Sequence, residues 1–300
     1  MGIRFAPSPT GAFHVGNLRT AWISWTWSRA LGQPWVVRFE DIDGPRVVPG
    51  ARERQLADLK ALGLEPDRSY LQSERHARHR AAFERAVASG ALYPCYCSRK
   101  EIRAALDRAA SAPHAPQAQY DGRCRSLSAP PPHPMATIAW RFRREDPSGK
   151  DDFIVARTSS RLGSGGVPLQ PETFAPSYHW ACAVDDHDGG YSLLVRASDL
   201  ASAAESQRAV QAWLAASEGR PFRPPAIFHC SLVVRNDGHR LEKRTAGVTL
   251  PELEAAGIGP RELRAKFEAG FEVAAHRRGL EPGRLFGEDK ETLTLRELGL

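Results

Sequence analysis

Three thiols and a phenol lie close along one stretch of this chain: Cys95-Tyr96-Cys97, then Tyr120-Asp121-Gly122-Arg123-Cys124 after a helix-sized spacer. Thiolate sulfur suits zinc, a borderline-soft ion, and three sulfurs with one further donor close a tetrahedral shell. Four protein ligands leave no open position, so such an ion would be structural. On the residues alone, His114 competes with Tyr120 for the fourth place. A second group is ionic. The run Arg4-Phe5-Ala6-Pro7-Ser8-Pro9-Thr10-Gly11 leads into His14-Val15-Gly16-Asn17. Gly16 has no Cβ and admits close approach of another group. The N–H groups of a helix starting near Asn17 attract an anion such as a phosphate. Further on come Arg38-Phe39-Glu40-Asp41-Ile42-Asp43 and a basic loop, Arg240-Leu241-Glu242-Lys243-Arg244. Arginine grips a carboxylate through two parallel hydrogen bonds, an acid beside small hydroxyls suits an ammonium, and a loop lysine neutralises charge on a phosphate leaving group.

The elements that must carry these residues alternate. Segment 2–6 reads as a short strand, Asn17 to Leu31 as a helix ended by Gly32, and Trp35 to Phe39 as a buried strand. Helices follow at 49–62 and 73–89. Strand-helix alternation predicts a parallel α/β sheet with ligands at the carboxyl ends of its strands, where Ser8 and Glu40 fall. From Tyr93 to about Pro134 the rhythm breaks into a cysteine-bearing hairpin, a short helix and a loop rich in Ala, Pro and Ser. Strands are expected at Thr137–Arg143 and Asp152–Ala156, then a flexible loop from Ser159 to Pro176. The α/β pattern resumes with a helix near 177–184, a strand at Tyr191–Arg196, a helix at Leu200–Glu218 and a strand at Ile227–Val234. The last 60 residues read as helical with loops. Taken alone, Tyr178 reads as a packed aromatic and Arg196 as a surface charge.

Composition sets the class. The 300 residues are 42% hydrophobic and 25% charged, as in an ordinary globular protein with room for one large or two medium cores. No run is apolar and long enough for a membrane span, and an N-terminus with Arg4, Pro7 and Pro9 is no signal peptide, so a cytoplasmic protein without a membrane partner is expected. The net charge of +6 is compatible with a polyanionic partner. Between Arg99 and Arg125 six Lys and Arg face three acids, a local excess that suits RNA phosphates. Five cysteines without export signals argue against a disulfide framework, and Cys182 and Cys230 read as small buried hydrophobes.

Several blocks in order carry a family resemblance. The Arg4 to Gly11 lead-in with His14-Val15-Gly16-Asn17 resembles the HIGH region of class I aminoacyl-tRNA synthetases, in its glutamyl branch. Arg38 to Asp43 resembles that branch's Arg-Ile-Glu-Asp-Ile-Asp block, Tyr178 to Asp186 its Tyr-x-x-Ala…Val-Asp-Asp segment, and Leu194 to Leu200 its Val-Arg-Gly-Ala-Asp-Leu segment. Arg240 to Arg244 resembles the KMSKS loop, with Arg240 in place of its first lysine and Glu242 in place of its serine. Glu242 should repel a triphosphate. The resemblance implies a Rossmann-like parallel sheet split by a zinc-bearing insertion, with a helical C-terminal region: 1–92 and 177–234 as the catalytic halves, 93–176 as the insertion, and 235–300 as the KMSKS-like loop and C-terminal helices. It implies glutamate contacts from Arg4, Phe5, Ala6, Pro7, Ser8, Glu40, Tyr178 and Arg196. ATP, with magnesium, would meet His14, Gly16, Asn17, Arg240 and Lys243, of which His14, Gly16 and Lys243 would be catalytic.

Cys95, Cys97, Tyr120 and Cys124 match the zinc site of the glutamyl-queuosine tRNA(Asp) synthetases. The short run of chain after the KMSKS-like loop, without space for an anticodon-binding domain, is expected of the same group. That branch implies ATP-dependent activation of glutamate without tRNA, then transfer to queuosine in the anticodon stem-loop of tRNA(Asp). Two other readings stay open: a shortened glutamyl-tRNA synthetase charging a tRNA 3′ end, and a non-catalytic RNA-binding paralogue.

Overall fold

The computed structural model describes residues 1–98, 101, 120–127, 137–159, 173–241, 248–277 and 280–300. In chain order it gives β1 (Ile3–Phe5), α1 (Val15–Leu31), β2 (Trp35–Phe39), α2 (Ala51–Ala61), β3 (Arg68–Leu71), α3 (His76–Ala88), β4 (Leu92–Cys95), β5 (Ile138–Phe142), β6 (Phe153–Ser159) and β7 (Thr173–Pro176). There follow α4 (Tyr178–Gly189), β8 (Leu193–Ala197), α5 (Ala203–Ser217), β9 (Ala226–Cys230), β10 (Leu232–Val234), α6 (Leu250–Ala255), α7 (Pro260–Ala269), α8 (Val273–His276), β11 (Leu285–Gly287) and β12 (Thr292–Thr294). The chain divides into two units. The first comprises Met1–Arg75, Asp185–Ala204 and Ala215–Leu300; the second comprises His76–Val184 and Glu205–Leu214.

In the first unit a six-stranded sheet runs β11-β9-β8-β1-β2-β3, with every pair parallel. Strand order turns at β1, which has β2 on one side and β8 on the other. Open parallel sheets take ligands at the carboxyl ends of strands around such a point. Register and alternation then sort the side chains, because partners in a parallel pair face the same way and successive residues face opposite ways. Arg4 pairs with Val36 and Leu194, and Leu194 with Ile227. One face therefore carries Arg4, Val36, Arg38, Leu194, Arg196, Ile227 and His229. The opposite face carries Ile3, Phe5, Trp35, Val37, Phe39, Val195 and Phe228, all part of the larger hydrophobic core.

The second unit is built on an antiparallel sheet, β4-β5-β6-β7. Phe83, Phe142, Phe174 and Trp180 fill its core. The buried Trp180 indole donates to the His79 carbonyl at 3.0 Å, so its polar edge is satisfied.

Most elements fall where the sequence places them, with several differences, among them the unexpected strand β3. Helix α1 begins at Val15 rather than Asn17, because His14 caps it, and Gly32 at φ 60° ends it. The strand expected over Ile227–Val234 is broken at Ser231 into β9 and β10. Leu92–Cys95 pairs with the distant β5 rather than in a local hairpin, and the end of the expected 159–176 loop is β7, paired with β6. Residues 160–172, His114, Glu242 and Lys243 lie outside the described residues. The C-terminal region holds short helices, but also β11, which joins the parallel sheet, and β12, which pairs with β10. Strands this short show too little alternation to stand out in a sequence.

The C-terminal region is tied to α1 by charge. Arg19, almost wholly buried, donates from Nη1 to Glu288 Oε2 at 2.7 Å, and Glu288 also accepts the Ser231 backbone N–H at 2.8 Å. Removing one partner of a buried pair strands the other charge. Glu288→Ala should therefore destabilise the first unit by about 3–5 kcal/mol. The measurement is the guanidinium midpoint; a loss below about 1 kcal/mol, the scale of an exposed pair, would show that the pair is dispensable.

Candidate active site and metal cluster

Two arginines and two acids are linked on the charged face of the parallel sheet. Arg4 donates from Nε to Asp186 Oδ1 at 3.2 Å and from Nη2 to Asp186 Oδ2 at 2.9 Å. Arg38 donates from Nη1 to Asp186 Oδ1 at 2.7 Å and from Nη2 to Glu40 Oε1 at 2.9 Å. The side chains of Arg38 and Asp186 have no exposed surface, and Glu40 keeps only 9% of its own. Burial pushes the Asp186 carboxyl up, but the charges of Arg38 and Arg4 outweigh it and hold the group below the ordinary carboxylate value. Asp185 next to it accepts from Gln72 Nε2 at 2.8 Å and Arg75 Nε at 2.9 Å. Arg196 is buried rather than on the surface, and its Nε donates to His229 Nε2 at 3.2 Å on the neighbouring strand.

The segment after β1 is pinned beside Glu40. The Glu40 N–H donates to the Pro7 carbonyl at 2.8 Å, and Gln55 of α2 donates to the carbonyls of Ser8 at 3.2 Å and Gly11 at 2.8 Å. Ser8 is exposed there. Phe5 turns its ring into the core against Phe13 and Trp35, so Phe5 offers a ligand only its backbone. Ala6 is half-buried and Pro7 buried. Tyr178 is the first residue of α4 and belongs to the second unit.

His14 caps α1. Its Nδ1 accepts from the N–H groups of Gly16 at 3.1 Å and Asn17 at 3.4 Å, while Asn17 Oδ1 accepts the His14 N–H at 3.3 Å. A Cβ on Gly16 would lie 3.0 Å from the His14 ring and 3.3 Å from Val233 Cβ, so the bare glycine lets the ring lie over the helix start. The Val15 N–H goes to Val248 and the Leu18 N–H to the His14 carbonyl. The N–H groups that the sequence offers to an anion are thus already engaged, and Nε2 of His14 is left as the ring donor. Burial, and then the nearby positive charge of Arg240, lower the His14 pKa to about 4. Arg240 pairs with Asp199 and bridges to Val234, while Thr249 bridges to His14. The flanks of the stretch containing Lys243 therefore both come near His14, although Lys243 itself lies outside the described residues.

In the second unit the Sγ atoms of Cys95, Cys97 and Cys124 lie within 4.8 Å of one another, with Cys97 to Cys124 at 3.4 Å. A zinc tetrahedron with Zn–S of about 2.3 Å has edges of about 3.8 Å, so the cluster fits such an ion. The Tyr120 hydroxyl lies 3.9 Å from Cys95 Sγ and accepts the Cys124 N–H at 2.9 Å. The hydrogen bond with Cys124, then Arg141 acting against burial, brings the Cys95 thiol down to about 5; Arg141 Nε lies 3.3 Å from that sulfur. Burial pushes the Tyr120 phenol up. Gly122, at φ 75°, makes the turn that returns Cys124 to the cluster; a Cβ there would strike the Ser148 carbonyl at 1.9 Å.

Asp186, Arg38 and His229 are residues of this site to which the sequence alone points only indirectly. A signal existed: a charge inside the buried run Trp35-Val36-Val37-Arg38-Phe39, and two acids closing an apolar helix, each demand a partner.

Comparison with known proteins follows the same line. Residues 1–266 match the family of class I tRNA synthetases (E and Q), catalytic domain. A glutamyl-Q tRNA(Asp) synthetase of Nocardia farcinica is 41% identical over 270 residues, covering 87% of this chain and 82% of its own. Proteins of the same name from Burkholderia cenocepacia and Deinococcus radiodurans are 40% and 38% identical, covering 84% and 87% of this chain and 85% and 86% of their own. Among solved structures, a glutamate-tRNA synthetase of Elizabethkingia anophelis aligns with a TM-score of 0.61 at 23% identity, covering 99% of this chain and 65% of its own. A glutamate tRNA ligase of Elizabethkingia meningosepticum aligns with a TM-score of 0.59 at 23% identity, covering 83% of this chain and 54% of its own. The chain spans less than two thirds of those two structures, and the likeness carries the fold. No helix among the described residues is long and apolar enough to cross a membrane.

His14 gives a test of this geometry. With a folded pKa of about 4 against 6.5 for the free side chain, the unfolded chain takes up the proton first as pH falls. Stability should drop between pH 7 and pH 4 and the contribution level off below it. An NMR titration of the His14 imidazole should show its midpoint near 4; a midpoint above 6 would overturn the cap assignment.

Proposed function

This chain belongs to the catalytic-domain family of class I tRNA synthetases for glutamate and glutamine, and from that premise we propose that it activates glutamate with ATP in the absence of tRNA and transfers it to queuosine at the wobble position of tRNA(Asp). As a member of that family it is an ATP-dependent ligase. The observation that carries the choice of glutamate is the charged half of one sheet face, where Arg4, Arg38, Asp186 and Glu40 are linked and Arg196 lies two residues beyond Leu194, the strand partner of Arg4. The shared name of relatives about 40% identical supports queuosine as the acceptor.

In this reading Arg4 and Arg196 meet the carboxylates of glutamate, Glu40 and Ser8 its ammonium, and Tyr178 and the backbone of Phe5 to Pro7 complete the contacts. The α-carboxylate attacks the α-phosphate of ATP; a bond to pyrophosphate breaks as the mixed anhydride forms. His14 is neutral at working pH and donates from Nε2 to a phosphate oxygen. Gly16 and Asn17 keep that ring in place, and Arg240 with Lys243 offsets charge gathering on the leaving group. Magnesium would accompany the ATP. In the second step a hydroxyl of the queuosine cyclopentenediol attacks the glutamyl carbonyl and AMP leaves. The insertion 93–176 would face the RNA, between the catalytic halves 1–92 and 177–234, with 235–300 carrying the basic loop. Zinc held by Cys95, Cys97, Tyr120 and Cys124 would be structural. A cytoplasmic site of action fits this substrate.

Glutamate-dependent ATP–pyrophosphate exchange without tRNA should be measurable, and Arg196→Ala should raise the glutamate KM at least roughly tenfold, the scale of one charge-assisted bond. No exchange above background would reject the catalytic reading. Radiolabelled glutamate should then pass to queuosine-modified tRNA(Asp) and not to the 3′ end of tRNA(Glu); the reverse pattern would favour the shortened glutamyl-tRNA synthetase. For the metal, elemental analysis of purified protein should give one zinc per chain. Tyr120→Phe should surrender zinc to a chelator faster than the wild type; equal retention would remove Tyr120 from the shell.

A further inference from the structure

Asp186 reaches both halves of the amino-acid site without belonging to either. Its Oδ2 holds Arg4, its Oδ1 is shared between Arg4 and Arg38, and Arg38 passes the constraint on to Glu40. Asp186 and Arg38 are withdrawn from solvent, so their roles lie in what they hold. The two ends of the chain differ. Arg4 and Glu40 are the cation and the anion of the proposed glutamate site; Asp186 and Arg38 are a buried anion and cation that join them in the order plus, minus, plus, minus.

We propose that Asp186 is a positioning residue for amino-acid recognition: it fixes the Arg4 guanidinium and, through Arg38, the Glu40 carboxylate, and so sets the distance between the group that meets a substrate carboxylate and the group that meets its ammonium. The inference rests on the reading of Arg4 and Glu40 given above. An arginine has a long, flexible side chain, and holding it before the substrate arrives removes an ordering cost from binding. The charges also matter. Without Asp186 the Arg4 guanidinium would lose its bidentate partner, while Arg38 would keep Glu40 and, at 4.0 Å, Asp185; the site would gain one positive charge and draw any small dianion more strongly. With Asp186 that positive charge is answered inside the protein, so a plain dicarboxylate gains less from net charge, and an α-amino dicarboxylate is selected by geometry.

Asp186→Asn keeps the shape, removes the charge and turns one acceptor into a donor that faces an arginine N–H. The glutamate KM in the exchange assay should rise roughly tenfold or more, as expected when a bond to a buried charge is lost, while kcat at saturating glutamate and the ATP KM stay close to wild type. Glutarate, which lacks the ammonium, should compete better against glutamate than it does in the wild type. Purely structural damage would not produce that shift in preference. Arg38→Lys, which can reach Asp186 or Glu40 but not both, should show the same split, and it decides the matter if Asp186→Asn does not fold. A folded variant with an unchanged glutamate KM, equal losses for glutamate and ATP, or unfolding of both variants would overturn the proposal. If the wild type itself shows no exchange, the functional reading fails instead; exchange in the wild type with an unmoved KM in Asp186→Asn removes only the positioning role.

Discussion

A charge inside a protein must be answered where it sits, and four linked charges on one sheet face are the constraint around which the first unit is arranged. Arg4 comes from β1, Arg38 from β2, Glu40 from just past its end and Asp186 from α4, with Asp186 far from the others in the chain. Each bond fixes a relation between elements that apolar packing leaves loose, because hydrophobic contact is non-directional and bidentate arginine–carboxylate geometry is not. The opposite face of the same strands, with Phe5, Trp35, Val37 and Phe39, supplies burial without direction. The two faces divide the labour: one gives cohesion, the other gives register and a site.

Much of this was legible in the residues, and the part that was not has a definable cause. Strand alternation in Val36-Val37-Arg38-Phe39-Glu40 already sets Arg38 and Glu40 on one side and Val37 and Phe39 on the other. Ser8 and Glu40 at strand ends follow from the α/β rhythm. Arg196 as a surface charge did not hold, because β8 is central in the sheet and its arginine is buried beside His229. Asp186 could not be paired from sequence: its partners are more than a hundred residues away, and nothing local says which of two adjacent acids faces which arginine. In hydrogen bonds the structure divides them, Asp186 to Arg4 and Arg38, Asp185 to Gln72 and Arg75, while Asp185 also lies 4.0 Å from Arg38. The short β11 and β12 were hidden for another reason. Three residues carry no periodicity, and these strands exist through the ladders they join rather than through their own propensity.

The cysteine cluster shows the same dependence on distant parts by other means. Cys95 ends β4, whereas Cys124 lies on a turn that only Gly122 can make without striking Ser148. Arg141, from β5, lies over the Tyr120 ring with its guanidinium carbon 3.6 Å from the ring centre and points Nε at Cys95. One cation thus supports an aromatic face and a sulfur that is drawn toward its anionic form. A phenol whose burial keeps it protonated and a thiol poised to ionise are different donors. A metal ion, by supplying positive charge in their midst, would make them alike.

The start of α1 turns on a neutral histidine, and the reason is again charge. Arg240 approaches His14 from the late part of the chain, where Thr249 also bridges to His14. A cation there would suit a triphosphate in the proposed reaction, and it disfavours a second cation on the imidazole. The cap reinforces this, since Nδ1 is occupied by two helix N–H groups and can take no proton without losing them. His14 is therefore held in one tautomer with Nε2 as donor. A donor of fixed direction is of more use to a phosphate oxygen than a mobile charge, because it stabilises charge where it develops without having to reorganise. The glycine two residues on is part of the same arrangement: without its bare Cα the ring could not lie over the helix start, and the helix would have no cap to keep the histidine neutral.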